Sequence, residues 1–318
     1  MNNLINKGNR PTRFGFGEGV RDAAMANSSV VGLGADITNS VSLNYFADAF
    51  PERFYSLGIA EQNCAAVAAG LALTGLTPVF STYAVFATMR AADQIRVSIC
   101  YNNLHVVIGG AHAGISVGPD GATHQALEDI AVMRVLPNMT LISPCDATQA
   151  KLATIYAVNE LKGPVYIRFG REAVPDFTSE TDKFEFGKGQ LLRQGSDLCI
   201  FATGHMVWHA LQAANELALQ NVSARVINIH TIKPIDKDII VKAALETKAV
   251  VTVEEHQIAG GLGSAIAEVL AQEFPVPMEF IGINDSFGES GMPEELMIKY
   301  GLSTEKIIEK SLKVLSRK

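Results

Sequence analysis

The sequence predicts an α/β fold built from two doubly wound sheets, and three observations lead there. Short apolar or β-branched runs alternate with Ala-rich stretches, glycines cluster directly behind those runs, and one polar, turn-rich segment interrupts the alternation. A glycine cluster behind a buried strand suits a chain that must turn abruptly into a helix.

The first half supplies VVGLG (30–34), the strand-like FYSLGI (54–59), LHVVIGG (104–110), MTLISP (139–144) and PVYIRFGRE (164–172). Runs without polar alternation read as parallel strands buried on both faces. The Ala-rich EQNCAAVAAGLALTG (61–75) reads as one of the helices between them. In FSTYAVFATMRAADQIR, Tyr83, Phe86 and Met89 fall at helical spacing, which places them on one face of a helix. The stretch REAVPDFTSETDKFEFGKGQ (171–190) lacks apolar periodicity and reads as an inter-domain linker. The expected division is therefore residues 1–175, a linker over 176–190, and 191–318.

Beyond the linker the alternation resumes with LCIFATG (198–204), MVWHALQAANELALQ, SARVINIHT (223–231), IDKDIIVKAALET, AVVTVEEH (249–256), LGSAIAEVLAQEF and MEFIGI. That order predicts four strands and three helices in a second, smaller sheet domain.

With 318 residues, 48% of them apolar and 19% charged, the chain can bury two cores, which excludes a disordered, fibrous or disulfide-stapled protein. It carries 26 basic and 33 acidic residues, net −7, without a block of like charge. Neither nucleic acid nor an anionic membrane is an expected partner, and small-molecule chemistry becomes the default. Cys64, Cys100, Cys145 and Cys199 are widely spaced in apolar surroundings and read as buried thiols of a reducing compartment. The N-terminal MNNLINKGNRPTRFGFG has no apolar run of signal-peptide length, so the expected location is cytoplasmic.

No GxGxxG, P-loop lysine or HExxH occurs in the chain. The candidates are instead polar residues placed where apolar runs end, since ligands of open α/β sheets bind at the carboxyl ends of strands. Glu61 opens the Ala-rich helix, where its carboxylate could simply complement the helix N-terminus. The stripe Tyr83, Phe86, Met89 could be core. The segment GGAHAGISVGPDGATHQALED (109–129) is a long glycine-rich loop carrying His112, Asp120 and His124, and such a loop is more often functional than structural. Arg168 and Arg171 close the first half, as site residues or as surface charges near the linker. Glu254, Glu255 and His256 read as a solvated strand end or a dimer contact, and GGLGS (260–264) as a helix N-terminus able to cradle an anion.

At these residues the chain resembles a family. GIAEQN around Glu61, STYAVF, HAGISVGPDGATHQ and YIRFGRE follow in the order found in the pyrimidine-binding domain of thiamine diphosphate enzymes, specifically transketolases. HTIKPID, EEHQIAGGLGSAIAEVL and IGINDSFGESG look like the transketolase C-terminal domain, and the whole is most similar to the C-terminal subunit of split, two-chain transketolases.

The resemblance implies roles. Glu61 hydrogen bonds N1′ of the cofactor's aminopyrimidine, which lets the thiazolium lose its C2 proton and become the ylide nucleophile. Tyr83, Phe86 and Met89 line the pyrimidine pocket, and Asp36 in GADITNS matches an acidic residue near the cofactor. Arg13, Ser40, His112 and Arg171 fall on positions that bind a sugar phosphate, where guanidinium forks suit a dianion. Asp120 and His124 fall on positions that contact substrate hydroxyls. The implied activity is transfer of a two-carbon ketol unit from a ketose phosphate to an aldose phosphate.

One departure is Asn63, where family members commonly carry a histidine; an amide cannot act as a proton-transfer group. No GDG motif with a downstream Asn is present, so no metal ligand is expected here. The Mg²⁺ or Ca²⁺ that holds the diphosphate is expected on a separately encoded N-terminal subunit, in an α₂β₂ heterotetramer. Three alternatives remain: a subunit specialised for a branched or unusual sugar phosphate, a deoxyxylulose phosphate synthase-like or 2-oxo acid dehydrogenase β subunit-like protein, and a non-catalytic regulatory homologue.

Overall fold

The computed structural model describes residues 5–318. In chain order its strands are β1 (Asn9–Pro11), β2 (Val30–Gly34), β3 (Phe54–Ser56), β4 (Thr77–Tyr83), β5 (Val107–Ala111), β6 (Thr140–Ile142), β7 (Val165–Arg168), β8 (Ala173–Pro175), β9 (Gln190–Arg193), β10 (Leu198–Ala202), β11 (Ala224–Asn228), β12 (Thr231–Lys233), β13 (Val250–Gln257) and β14 (Met278–Ile283). A seven-stranded sheet runs β12-β6-β7-β5-β4-β2-β3, and a five-stranded sheet runs β14-β13-β10-β11-β9. Both are parallel except at one edge, where β12 lies antiparallel to β6 and β9 antiparallel to β11. The mixed α/β architecture with mostly parallel sheets is the one the sequence predicts.

Parallel strands need helices on both faces, and the Ala-rich Glu61–Leu73 shows how one is seated. It buries Glu61, Cys64, Ala65, Ala68 and Ala69, one face at helical spacing whose small side chains let the helix lie close to the sheet. All four cysteines are buried free thiols. Among the described residues, no helix is long and apolar enough to cross a membrane.

Several elements depart from the sequence reading. SARVINIHT is two strands: β11 ends at Asn228, and Thr231–Lys233 leaves for the edge of the first sheet, where Thr231 pairs with Ile142. The second half also contains β9 and two further helices, Pro293–Lys299 and Thr304–Leu315. The last of these buries Ile307, Ser311 and Val314 on one face, and the Ser303 side chain accepts from the Lys306 N–H at its start.

The turn-rich segment after Arg171 is tied down as well. Its first residues form β8, paired with β1, and the buried Asp146 carboxylate accepts the N–H groups of Phe177 and Thr178 at 2.9 and 2.7 Å. Phe177 packs in the second core and Phe184 in the first. Polar composition hides these anchors because the groups they meet lie far away in sequence.

Candidate active site

The parallel strands of the first sheet end along one rim. Asp36 and Ser40 follow β2, Glu61 follows β3, Tyr83 ends β4, His112 follows β5, and Arg168 and Arg171 close and follow β7. The chain steps outward from β2 to β3 and then back to β4, so the crevice opens where the strand order reverses.

Glu61 is the first residue of its helix and only 2% exposed. A carboxylate so placed needs a partner, and Arg90 supplies it: its Nη1 donates to Glu61 Oε2 at 2.8 Å. The same guanidinium lies over the Phe86 ring, 4.2 Å from its centroid. Nothing in the linear sequence signals this pair, since an arginine next to an apolar stripe is usually a solvated charge.

The expected helical face of Tyr83, Phe86 and Met89 is not what forms. Tyr83 still belongs to β4, held in register opposite Ala111 of β5, and Phe86–Arg90 is a π-helical turn in which the Ala91 N–H reaches Phe86 O at 3.1 Å. The wide turn keeps Phe86 beside Tyr83, centroids 5.7 Å apart, but leaves Met89 47% exposed at the rim. It also turns Arg90 towards Glu61.

Tyr83 is the bridge to the polar half of the crevice. His112 stacks on it at 4.3 Å with planes 19° apart, while His124 meets both Tyr83 and Phe86 edge-on at 5.8 and 5.4 Å. The His112 Nε2 lies 3.1 Å from the Ser40 carbonyl, which also accepts from Arg13 Nη1 at 2.9 Å. The Ser40 contribution is thus its backbone oxygen. His112 holds a left-handed φ of 53°, the strained kind of backbone that concentrates at functional sites. Burial, reinforced by the Arg13 charge, pushes its pKa down to about 4, so the ring is neutral at pH 7. With Nε2–H donated to Ser40, Nδ1 is an acceptor, and among the described residues both it and Arg13 Nε are buried without a partner.

Arg171 donates to Asp120 Oδ1 at 3.0 Å and to the Val117 carbonyl at 3.3 Å. The loop expected over 109–129 is partly ordered structure: β5 takes its first residues, and Ile115–Asp120 forms a 3-10 turn. Asp36 is exposed with a left-handed φ of 64°, and Asn63 is exposed while Glu61, two residues earlier, is buried. The structure thus gathers Arg13, Ser40, Glu61, Tyr83, Phe86, His112 and His124 through direct contacts, with Asp120 and Arg171 as an adjoining pair. It leaves Met89 and Asp36 at the margin.

Three other expectations are corrected. Arg168 is not a surface charge: it is buried, and its Nε donates to both oxygens of Asp129 at 3.1 and 2.9 Å. Glu254, Glu255 and His256 are not a solvated strand end, since all three are buried. GGLGS holds no vacant anion cradle either. The Glu254 carboxylate occupies that helix N-terminus, accepting from the Leu262 and Gly263 N–H groups at 2.7 and 2.8 Å.

A parallel-sheet crevice with a buried carboxylate, stacked aromatics and arginines on one rim defines an α/β protein with a small-molecule site at the carboxyl ends of its strands. Known proteins narrow the class. Residues 9–176 match the transketolase pyrimidine binding domain and residues 187–307 the transketolase C-terminal domain, so the chain belongs to the transketolase family.

It is 41% identical over 295 residues to the 6-deoxy-6-sulfo-D-fructose transketolase subunit SqwH of Clostridium sp. (strain MSTE9), covering 93% of this chain and 91% of that one. It is 39% identical over 307 residues to a subunit of the apulose-4-phosphate transketolase of Phocaeicola vulgatus, covering 96% and 97%. Among solved structures, "Split gene transketolase, inactive beta4 tetramer" superposes with a TM-score of 0.90 at 47% identity, covering 96% of this chain and 98% of that one.

Proposed function

We propose that this chain is the C-terminal, pyrimidine-binding subunit of a two-chain transketolase that moves a two-carbon ketol unit from a ketose phosphate to an aldose phosphate. The observation that carries the reading is continuity: Glu61, Arg90, Phe86, Tyr83, His112, the Ser40 carbonyl and Arg13 form an unbroken run of contacts joining a cofactor side to a phosphate side in one crevice.

The residues fit thiamine diphosphate. A buried carboxylate beside aromatic rings suits an aminopyrimidine, and the unpartnered Arg13 Nε offers a donor to an anion. When bound, thiamine diphosphate supplies the carbon nucleophile. Glu61 holds a proton at the pyrimidine N1′, Tyr83 and Phe86 exclude water, and Met89 and Asp36 edge the pocket. Arg13, the Ser40 carbonyl acting through Arg13 and His112, and Arg171 form the phosphate end, while Asp120 and His124 orient the sugar hydroxyls.

The division at 1–175, 176–190 and 191–318 goes with this reading, as does a cytoplasmic enzyme. The diphosphate, with its Mg²⁺ or Ca²⁺, is assigned to an N-terminal partner subunit in an α₂β₂ assembly. Relatives described as transketolase subunits, and a neighbour described as an inactive β4 tetramer of a split-gene transketolase, support a partner-dependent activity.

Combining the chain with its partner, thiamine diphosphate and Mg²⁺ is expected to transfer glycolaldehyde between pentose phosphates. No transfer in that mixture, or full transfer without the partner, refutes the proposal. A second reading, specialisation for an unusual sugar, is favoured by the sulfosugar and apulose phosphate in the relatives' names and by Asn63. A donor and acceptor panel with branched and sulfonated sugars separates the two.

A further inference from the structure

The proposed chemistry uses only first-half residues, yet the loop carrying His112, Asp120 and His124 rests on the second half. Glu255, on β13, is 4% exposed and aims its carboxylate at the underside of this loop. Oε1 accepts the Ser116 N–H at 2.6 Å, within the Ile115–Asp120 turn. Oε2 lies 2.9 Å from His205 Nε2, at the start of the Met206–Leu219 helix. That contact is close but poorly aligned for a hydrogen bond, so the Ser116 N–H is the better-placed partner of this carboxylate.

The Glu255 carbonyl accepts from Arg168 Nη2 at 2.8 Å, and Arg168 is clamped by Asp129, so the carboxylate is carried on a rigid base. The loop has closed onto it: a Cβ at Gly114, where φ is +93°, would come within 2.1 Å of the Glu255 carboxyl carbon. On the other side of the turn, Gln125 Nε2 donates to Ile115 O at 3.1 Å and to Glu289 O of the second half at 2.9 Å.

We infer that Glu255 is a positioning residue for the substrate: by holding the Ser116 amide, it sets the height of the Ile115–Asp120 turn and so the aim of Arg171 at the sugar phosphate and of Asp120 at the sugar hydroxyls. The link is short. Ser116 is bonded to Val117, whose carbonyl accepts from Arg171, and Arg171 holds Asp120. Glu61, Tyr83 and Phe86 lie on other elements and do not touch Glu255. The effect is therefore confined to substrate placement and leaves the cofactor pocket alone. This inference rests on the proposed substrate class.

The test compares Glu255→Ala and Glu255→Gln in the assembled two-subunit enzyme. The alanine variant is expected to raise KM for a ketose phosphate donor about tenfold or more, with kcat and the thiamine diphosphate Kd within about twofold of wild type. The glutamine variant, whose amide oxygen still accepts the Ser116 N–H, is expected to restore KM to within about threefold. An unchanged KM in the alanine variant, a glutamine variant as impaired as the alanine one, or a cofactor Kd that moves in step with KM overturns the inference. Wild-type turnover is the control for the assigned reaction. If it is absent, transketolase activity is refuted, and calorimetric titration with inorganic phosphate decides on Glu255: weaker binding in alanine and recovery in glutamine support it, and equal binding in all three overturns it.

Discussion

Arg90 donates to the Glu61 carboxylate at 2.8 Å while its guanidinium covers the Phe86 ring at 4.2 Å. One side chain thereby engages two of the groups assigned to the cofactor's pyrimidine. Arg90 is 44% exposed at the side chain and Glu61 only 2%, so the pair is half screened, and its chief effect is to spare a buried carboxylate from isolation.

Replacing Arg90 with Met keeps the apolar stem but removes that partner. We expect a loss of about 1 kcal/mol in urea unfolding of the chain, most of it recovered by Arg90→Lys. Equal stability of Met and wild type contradicts a stabilising role for the pair. Glu61→Ala is expected to lower turnover by about two to four orders of magnitude without preventing subunit assembly, as checked by steady-state kinetics and gel filtration.

The phosphate end makes a different prediction. Arg13→Ala removes one charge from the rim and is expected to lower kcat/KM for phosphorylated sugars by about a hundredfold while leaving unphosphorylated acceptors almost unaffected. A uniform loss across both classes places Arg13 elsewhere in the mechanism.

His112 is neutral in the free protein because burial and Arg13 hold its pKa near 4. A phosphate dianion seated against Nδ1 lacks a donor there until the ring takes a proton, so binding is expected to consume protons near pH 6. Calorimetry in buffers of different ionisation enthalpy reads this directly, and His112→Asn is expected to abolish the buffer dependence.

Acid should weaken the fold through its buried histidines. Burial lowers His112, His209, His230 and His256 from 6.5 to about 4. Between those values the unfolded chain binds protons that the folded one refuses, so stability falls with falling pH, by up to roughly 1.4 kcal/mol per pH unit for each ring. Glu254 acts in the opposite sense. Its burial, tempered by the two N–H groups it accepts, raises it from 4.5 to about 7, so its share of stability is present below 4.5 and lost as pH rises towards 7. It offsets one histidine of the four in the overlap. Melting temperature measured from pH 7.5 to 4.5 is expected to drop, and to drop more steeply in Glu254→Gln.

Much of this is legible in the sequence. The apolar runs mark the strands because parallel strands buried on both faces leave no polar alternation to confuse them, and the rim residues follow from where those runs stop. Arg90, Glu255 and β12 are not legible, for a shared reason. Arg90 meets Glu61 across 29 positions and Ser116 meets Glu255 across 139, and no local periodicity encodes such separations. Met89 lies away from the place its spacing predicts because a helical stripe would have to begin at Tyr83, whereas the β4–β5 ladder holds Tyr83 and delays the turn.

β12 carries a consequence for how this chain can be divided. Thr231–Lys233 leaves the second half to cap β6, the outermost strand that the first half itself supplies on that side of the sheet. A fragment ending at residue 175 would expose that backbone edge to other molecules, and a fragment beginning at 191 would carry a strand with no ladder to join. The boundary at which the sequence is most easily cut is thus one across which the backbone hydrogen bonding is shared, so shuffling the halves between relatives requires β6 and β12 to be exchanged together.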